Sequence, residues 1–282
     1  MLHSTHRRGL VNLLFATFSY SIMAVFVKLA GTDMPSQQIV FLRSGVGCLL
    51  IVFLAWRRGI SLKGHNYGLL AQRALFGFFG MSAYFYTLTV IPIADSTILL
   101  YTNPLFTILL APYLLREANS GRQWSYSALG FIGVFMVIQP TLKLDPLATV
   151  VGIAGAVATA LAYITVRRMR DSEHELVIIF YFMFFSVLAS FPGISYDFEM
   201  PGARAWWYIA GVGVFTVLGQ LFMTRGLHRV RATQATNVSY SNVLFTTFWG
   251  ILIWGNWPDV LAVAGVLFIV GSIVLMNRRA NS

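Results

Sequence analysis

Apolar residues run in ten long blocks along this chain: 9–30, 36–56, 66–90, 94–115, 122–139, 149–168, 173–192, 204–228, 231–253 and 257–277. Polar and charged residues collect in the short stretches between them. A helix needs about 20 mostly apolar residues to cross a hydrocarbon core roughly 30 Å thick, and the blocks match that length. Stretches such as LLIVFLAW do not alternate apolar and polar positions, so they do not read as membrane-barrel strands. Lipid cannot satisfy open backbone groups, which leaves helices. The pattern predicts an all-α integral membrane protein of ten transmembrane helices.

The blocks also repeat. YTNPLFT at 101–107 returns as YSNVLFT at 240–246, an offset of 139 residues. The same offset carries Lys28 to Arg167, Phe41 to Phe180, Ala71 to Ala210, Gly80 to Gly219 and Leu88 to Leu227. Gly130 and Gly265 correspond after a shift of four. Two units are therefore expected, 9–139 and 149–277, each of five helices. Five is odd, so the second unit would enter the membrane from the opposite side. The halves are then inverted repeats about an axis in the membrane plane, an architecture of secondary transporters that work by alternating access.

Composition agrees. Hydrophobic residues make up 57% of the chain, charged residues 11%, and the mean hydropathy is +0.71. Soluble domains carry about 25% charged residues. The net charge of +10 forms no continuous basic stripe, so nucleic acid is not an expected partner. Fifteen of the 20 Lys and Arg residues fall on the N-terminal side of the spans and three (Lys28, Lys143, Arg204) on the other. Cytoplasmic loops carry such an excess, which predicts both termini in the cytoplasm. In a bacterium the membrane would be the inner one. The first apolar block exceeds a signal peptide and lacks a clear cleavage site, so it reads as a retained span. The one cysteine, Cys48, permits no intramolecular disulfide.

Candidate chemistry sits at mid-depth. Asn103 lies nine residues after Ala94, and Asn242 ten after Ala232. Both are expected roughly 13–15 Å deep, where the two-fold axis would bring them to one cavity. Ser96, Leu100, Asn103 and Thr107 share a helical face, matched by Ala235, Ser239, Asn242 and Thr246. Tyr101 and Tyr240 point about 200° away from their asparagines, so either face could line the cavity while the other packs. Interhelical glue is the competing role for the asparagines. Pro104 is expected to kink its span and free a carbonyl near Leu100 for substrate or water; its counterpart is Val243. Tyr84 and Gln220 on spans three and eight are further cavity candidates, and Tyr20 and Thr159 face each other through the repeat. Arg43 lies too deep to be loop, and a buried charge of this kind marks a functional site. Arg73 is expected to snorkel toward the nearer interface. Lys28 and Asp95, near the outer ends of spans one and four, could form a gate or a surface pair, with Asp95 within reach of water.

No G-x-x-x-x-G-K-[ST] loop occurs, so the chain is not expected to power itself with ATP. No Ser-His-Asp or H-E-x-x-H arrangement suggests an enzyme, and the five histidines show no metal spacing. No cofactor or metal is expected.

Taken together, these features resemble the drug/metabolite transporter superfamily, EamA type. The resemblance covers essentially the whole chain. It rests on the Pro35-to-Arg43 opening of span two and on AYFYTLTVIPIADSTILLYTNPLFTILLAPYLLRE (83–117), where Tyr84, Leu88, Pro92, Ala94, Pro104, Leu105, Phe106 and Glu117 match the family's pattern. The second copy departs from it at Arg231, Val243 and Asn256. The resemblance implies a secondary or facilitative carrier with a cavity lined by spans one, three, four, six, eight and nine. It would move a small polar or amphipathic metabolite, an amino acid or related compound being the leading expectation, by export. A proton or a counter-substrate is left open as coupling partner, membrane lipid surrounds the chain, and a monomer or weak dimer is expected. Two alternatives stay open: an importer or exchanger of a larger charged metabolite, and a membrane receptor or scaffold that transports nothing.

Overall fold

The computed structural model describes residues 2–30, 34, 36–142, 145–194, 198 and 200–278. Pro35, Lys143 and Arg279, and loop positions 195–197, lie outside the described residues. Among the described residues there are twelve helices and no strand. In order they are α1 (Leu2–Ala30), α2 (Ser36–Arg57), α3 (Tyr67–Val90), α4 (Ile93–Leu100), α5 (Asn103–Leu115), α6 (Gly121–Ile138), α7 (Pro146–Arg168), α8 (Glu175–Ile194), α9 (Ala203–Arg229), α10 (Ala232–Val238), α11 (Ser241–Trp254) and α12 (Val260–Arg278). Seven helical stretches, among them Thr5–Ala30, Ile93–Leu115 and Val260–Asn277, are long and apolar enough to cross a membrane. The outside of the bundle is correspondingly apolar: Leu49, Leu267 and Val260 are 73%, 67% and 88% exposed. Such a surface is at home in lipid. The chain is a membrane protein.

Helix starts follow local chemistry. Asn66 caps α3 by accepting from Leu69 N at 3.1 Å. Ser120 and Gln123 form a reciprocal capping box at α6. Asp145 accepts from Ala148 N at 2.8 Å ahead of Pro146 at the first turn of α7.

The spans expected over 94–115, with a kink at Pro104, and over 231–253 are each interrupted, at Tyr101–Thr102 and at Ser239–Tyr240. The backbone tightens there to i→i−3 bonds. Thr102 N reaches Leu99 O at 3.1 Å and Leu105 N reaches Thr102 O at 2.9 Å; Ser239 N reaches Thr236 O at 3.1 Å and Asn242 N reaches Ser239 O at 3.0 Å. These are 3₁₀ turns inside helices, a geometry associated with hinges. Proline accounts for only one of them. Pro104 has no N–H to give, whereas Val243 has one and spends it on Tyr240 O, three residues back, at 3.1 Å.

Packing pairs the halves. α1 lies on α9 and α3 on α7; α2 faces α8, and α6 faces α12; α5 packs on α7 as α11 packs on α1. Exchanging first-half helices for their second-half counterparts leaves this set unchanged. Two contacts repeat it at residue level. A Cβ at Gly80 on α3 would come within 2.4 Å of Thr159 Oγ1 on α7, and one at Gly219 on α9 within 2.4 Å of the Tyr20 ring on α1. Under the 139-residue offset these are the same contact. Only a residue without Cβ permits such an approach, and small residues at helix crossings are how membrane helices gain van der Waals packing.

Candidate functional site

The repeated motifs meet where the helices break, with partners other than those expected. The Tyr101 hydroxyl donates to Asn242 Oδ1 at 2.9 Å, and Asn242 Nδ2 donates to Thr17 O at 2.9 Å. The motif of one half therefore holds that of the other, and both fasten to α1. Thr17 and Ser241 hydroxyls add a second α1–α11 link at 2.8 Å. Asn103 does not join this seam. Its Nδ2 turns back to Leu100 O at 2.8 Å, while its Oδ1 is buried and accepts no hydrogen bond. The carbonyl that Pro104 was expected to free for substrate is thus taken up by Asn103 itself. Tyr240 is fully buried between α6 and α12, against Val134, Val243 and Ile269. Ser239 is buried and donates to Thr236 O within its own helix. The Tyr240 hydroxyl is buried without a hydrogen-bond partner.

A second set of polar groups gathers around Tyr20. Its ring covers Gly219, and its hydroxyl lies in the electrostatic field of Tyr163, Arg73 and Arg43. Tyr101 is in turn within range of Tyr84 and Tyr163, and the Tyr84 hydroxyl is 3.4 Å from Thr97 Oγ1. Tyr20, Tyr84, Tyr101 and Tyr163 thereby link α1, α3, the α4–α5 break and α7 into one polar layer. Arg73 does not snorkel: it is 4% exposed, donates to Gln220 Oε1 at 3.2 Å, and stacks 4.2 Å from the centre of the Phe182 ring. Its position on α3 faces α8 and α9, so reaching the interface would mean leaving that crossing. Arg43 is 9% exposed and rests against the sulfurs of Met81 and, at 3.9 Å, Met23. Tyr163 was not among the sequence candidates. Its signal was helical spacing, one turn beyond Thr159 on the α3-facing side of α7.

The expected gate residues separate. Asp95 is wholly buried, not water-exposed: Oδ2 accepts from Thr141 Oγ1 at 2.6 Å and Oδ1 from Leu142 N at 2.9 Å. The segment after α6 folds back over α4 through positive-φ residues Gln139 and Leu142, and that fold covers the carboxylate. Lys28 Nζ sits 3.9 Å over the Trp254 ring. It borders a cleft of about 540 Å³ between α1, α6, α11 and α12, with Ser21, Thr246, Thr247 and Asn256 among its polar lining. That cleft lies on the α11 side of α1, whereas Tyr20 points at α9, so it is distinct from the tyrosine–arginine layer. At the other end of the bundle, Arg167 Nε is 2.9 Å from Glu117 Oε1. Arg167 Nη1 also donates to Leu227 O and His228 O, and Glu117 Oε2 accepts from Ala232 N at 3.0 Å. Among the described residues no cluster of His, Cys, Asp and Glu could hold a metal ion.

Comparison with known proteins bears on this arrangement. The EamA-like transporter family matches residues 7–139 and again 147–278. The chain is 31% identical over 274 residues, 96% of each protein, to the pseudopaline exporter CntI of Pseudomonas aeruginosa. It is 24% identical to an S-adenosylmethionine uptake transporter of Rickettsia prowazekii, covering 99% of this chain and 96% of that one. A crystal structure of 17% identity superposes with a TM-score of 0.86 over 97% of this chain and 99% of its own, a likeness of fold.

Proposed function

Since the chain belongs to the EamA-like transporter family, we propose that it is a ten-pass secondary or facilitative carrier that exports a small polar or amphipathic metabolite related to amino acids. The observation that carries this reading is the buried pair Arg43 and Arg73 beside a half-buried polar layer of Tyr20, Tyr84, Tyr101, Tyr163 and Gln220. Polar and charged groups at such depth are costly, and membrane proteins keep them where they face a pathway. The paired family matches, the exchange-symmetric helix packing and the Gly80–Thr159 and Gly219–Tyr20 contacts support two five-helix repeats of inverted topology. The 15-to-3 distribution of Lys and Arg supports cytoplasmic termini in an inner membrane. The 3₁₀ breaks in the fourth and ninth spans supply hinges on which the halves exchange positions.

Relatives named for export and for uptake share the fold, so direction is set by gradients and coupling rather than architecture. The higher identity to the named exporter favours outward movement here. Proteoliposomes reconstituted with the purified chain and loaded with a whole small-molecule cell extract test the reading with no substrate chosen in advance. Mass spectrometry of the outer medium should find one chemical class released in protein-containing vesicles and absent from empty ones. Identical release profiles would sink the carrier reading in favour of a receptor or scaffold.

A further inference from the structure

Among the described residues no carboxylate pairs with Arg43 or Arg73. Each guanidinium has five N–H donors and no acceptor. Arg73 spends one on Gln220, and its Nε and Nη1 are buried without a partner. Arg43 has thioether sulfurs beside its Nη atoms, which are weak acceptors, and its Nε has no partner. Charges buried among membrane helices are costly, and these two reach positions one turn apart on α3: a Cβ at Gly77 would run into Arg73 Nη1, and Arg43 Nη2 rests on Met81 Sδ.

Every carboxylate among the described residues is engaged elsewhere. Asp95 holds the 141–142 segment, Glu117 holds Arg167, Glu173 accepts from the His65 and Asn66 amides, and Glu175 pairs with Arg225. Asp145 and Asp259 cap helix starts, and Asp171 pairs with Arg170. Asp33, Asp197 and Glu199 lie outside the described residues. The site thus presents two buried cations with free donors and no counter-charge among the described residues.

We propose that Arg43 and Arg73 form the binding site for a carboxylate group of the transported molecule, which arrives as their counter-ion. The inference rests on the carrier reading and narrows its substrate class to carboxylate-bearing metabolites. A guanidinium fork matches the two oxygens of a carboxylate with parallel, charge-assisted hydrogen bonds. Phe182 beside Arg73, and Met23 and Met81 beside Arg43, give the apolar stem of the ligand a surface. Guanidinium forks also fit phosphate. Thioether and phenyl walls favour a carboxylate head with its single charge over a doubly charged phosphate head, because desolvation penalises the more concentrated charge more steeply; a dicarboxylate carries its two charges on separate heads.

The purified full-length chain in detergent, held at constant ionic strength with sodium chloride, tests this with succinate, its neutral isostere succinamide, and inorganic phosphate. Succinate should raise the melting temperature saturably, while succinamide leaves it unchanged and phosphate acts more weakly. Arg43→Gln and Arg73→Gln should each weaken succinate binding about tenfold to a hundredfold, the loss of a charged hydrogen bond. The Lys variants should keep part of the affinity, and Arg58→Gln, on the exposed loop, should keep all of it. If a Gln variant melts too low to titrate, its Lys counterpart carries the comparison. No saturable succinate effect, an equal effect of succinamide, a preference for phosphate, or unchanged affinity in the variants would overturn the assignment. The vesicle experiment separates this from the broader reading: protein-dependent release of a compound without a carboxylate removes the arginine site and leaves the carrier standing.

Discussion

At the basic end of the bundle, Arg167 leaves the last turn of α7 and closes onto Glu117, two carbonyls of α9 and, through Glu117, the first amide of α10. At the opposite end, the residue in register with Arg167 is Lys28, and the residue in register with Glu117 is Asn256. Among the described residues no carboxylate pairs with Lys28, which lies over Trp254 beside a cleft of about 540 Å³ that Asn256 also borders. The acids have traded places as well. Asp95 near the open end corresponds to Gln234 near the latched end, and it ties down a connector instead of joining helices of the two halves. Two ends with matching backbones therefore differ in which helices their charges hold together. On the proposed reading this is a carrier closed at the Arg167 end, and the exchange of a Glu for an Asn is the difference in charge between the two ends.

The strongest way to break that comparison is to remove the latch. Glu117→Ala strips the partner from Arg167, whose side chain is 10% exposed in the pair. Breaking a buried ion pair by deleting one partner costs about 3–5 kcal/mol, because the surviving charge is left uncompensated. Two carbonyls remain for Arg167 to lean on, so the lower end of that range is expected in detergent unfolding titrations. Asn256→Ala, at the matching position, strands no charge and should change stability by less than about 0.5 kcal/mol. Equal losses in the two variants would mean that the ends are energetically alike and that the latch has been misread.

How much of this is legible in the sequence depends on whether a feature is set along one helix or between two. Gly80 with Gly219, and Tyr20 with Thr159, can be matched by offset alone, because equivalent positions of the two repeats make equivalent crossings. The mid-depth position of the YTN and YSN motifs also follows from counting residues into each span. Their partners do not. Whether Asn103 or Tyr101 meets Asn242 depends on a few tens of degrees of helix rotation, and the 3₁₀ turns at 101–102 and 239–240 supply that rotation without a shared proline. Asp95 escapes a sequence reading for a similar reason: its burial comes from the backward fold of residues 139–142, a backbone choice at two positive-φ residues that have no glycine to announce it. Arg73 suggests snorkelling because its distance from the helix end is visible in the sequence and its facing toward Phe182 and Gln220 is not.

A gain can sharpen the comparison where a loss broke it. Asn256→Glu gives Lys28 the kind of partner Arg167 already has. An ammonium offers a point charge instead of a fork, and a partly exposed pair contributes about 0.2–1 kcal/mol, so a small stabilisation is expected. The more telling measurement is access to the cleft. In a Cys48→Ala background, Thr247→Cys inside the cleft should react more slowly with a membrane-impermeant maleimide once residue 256 is Glu. An unchanged labelling rate would show that residue 256 does not govern the open end.

The smallest effect concerns the seam between the two ends, where the halves touch through side chains of the repeated motif. Tyr101→Phe deletes the donor to Asn242 Oδ1, and Asn242→Ala deletes the acceptor together with its own bond to Thr17 O. Hydrogen bonds between membrane helices contribute about 0.6 kcal/mol on average, so neither single change should prevent folding. A double-mutant cycle isolates the pair, and a coupling of about 0.6 kcal/mol is expected between positions 101 and 242. The same cycle between Tyr101→Phe and Asn103→Ala should give a coupling near zero, because Asn103 bonds Leu100 O across the α4–α5 break and not Tyr101. If the larger coupling fell on Asn103, the seam would run along the face opposite to the one seen here. The hinge at 101–102 would then join α5 to its neighbours by a different set of contacts than the Tyr101–Asn242–Thr17 chain.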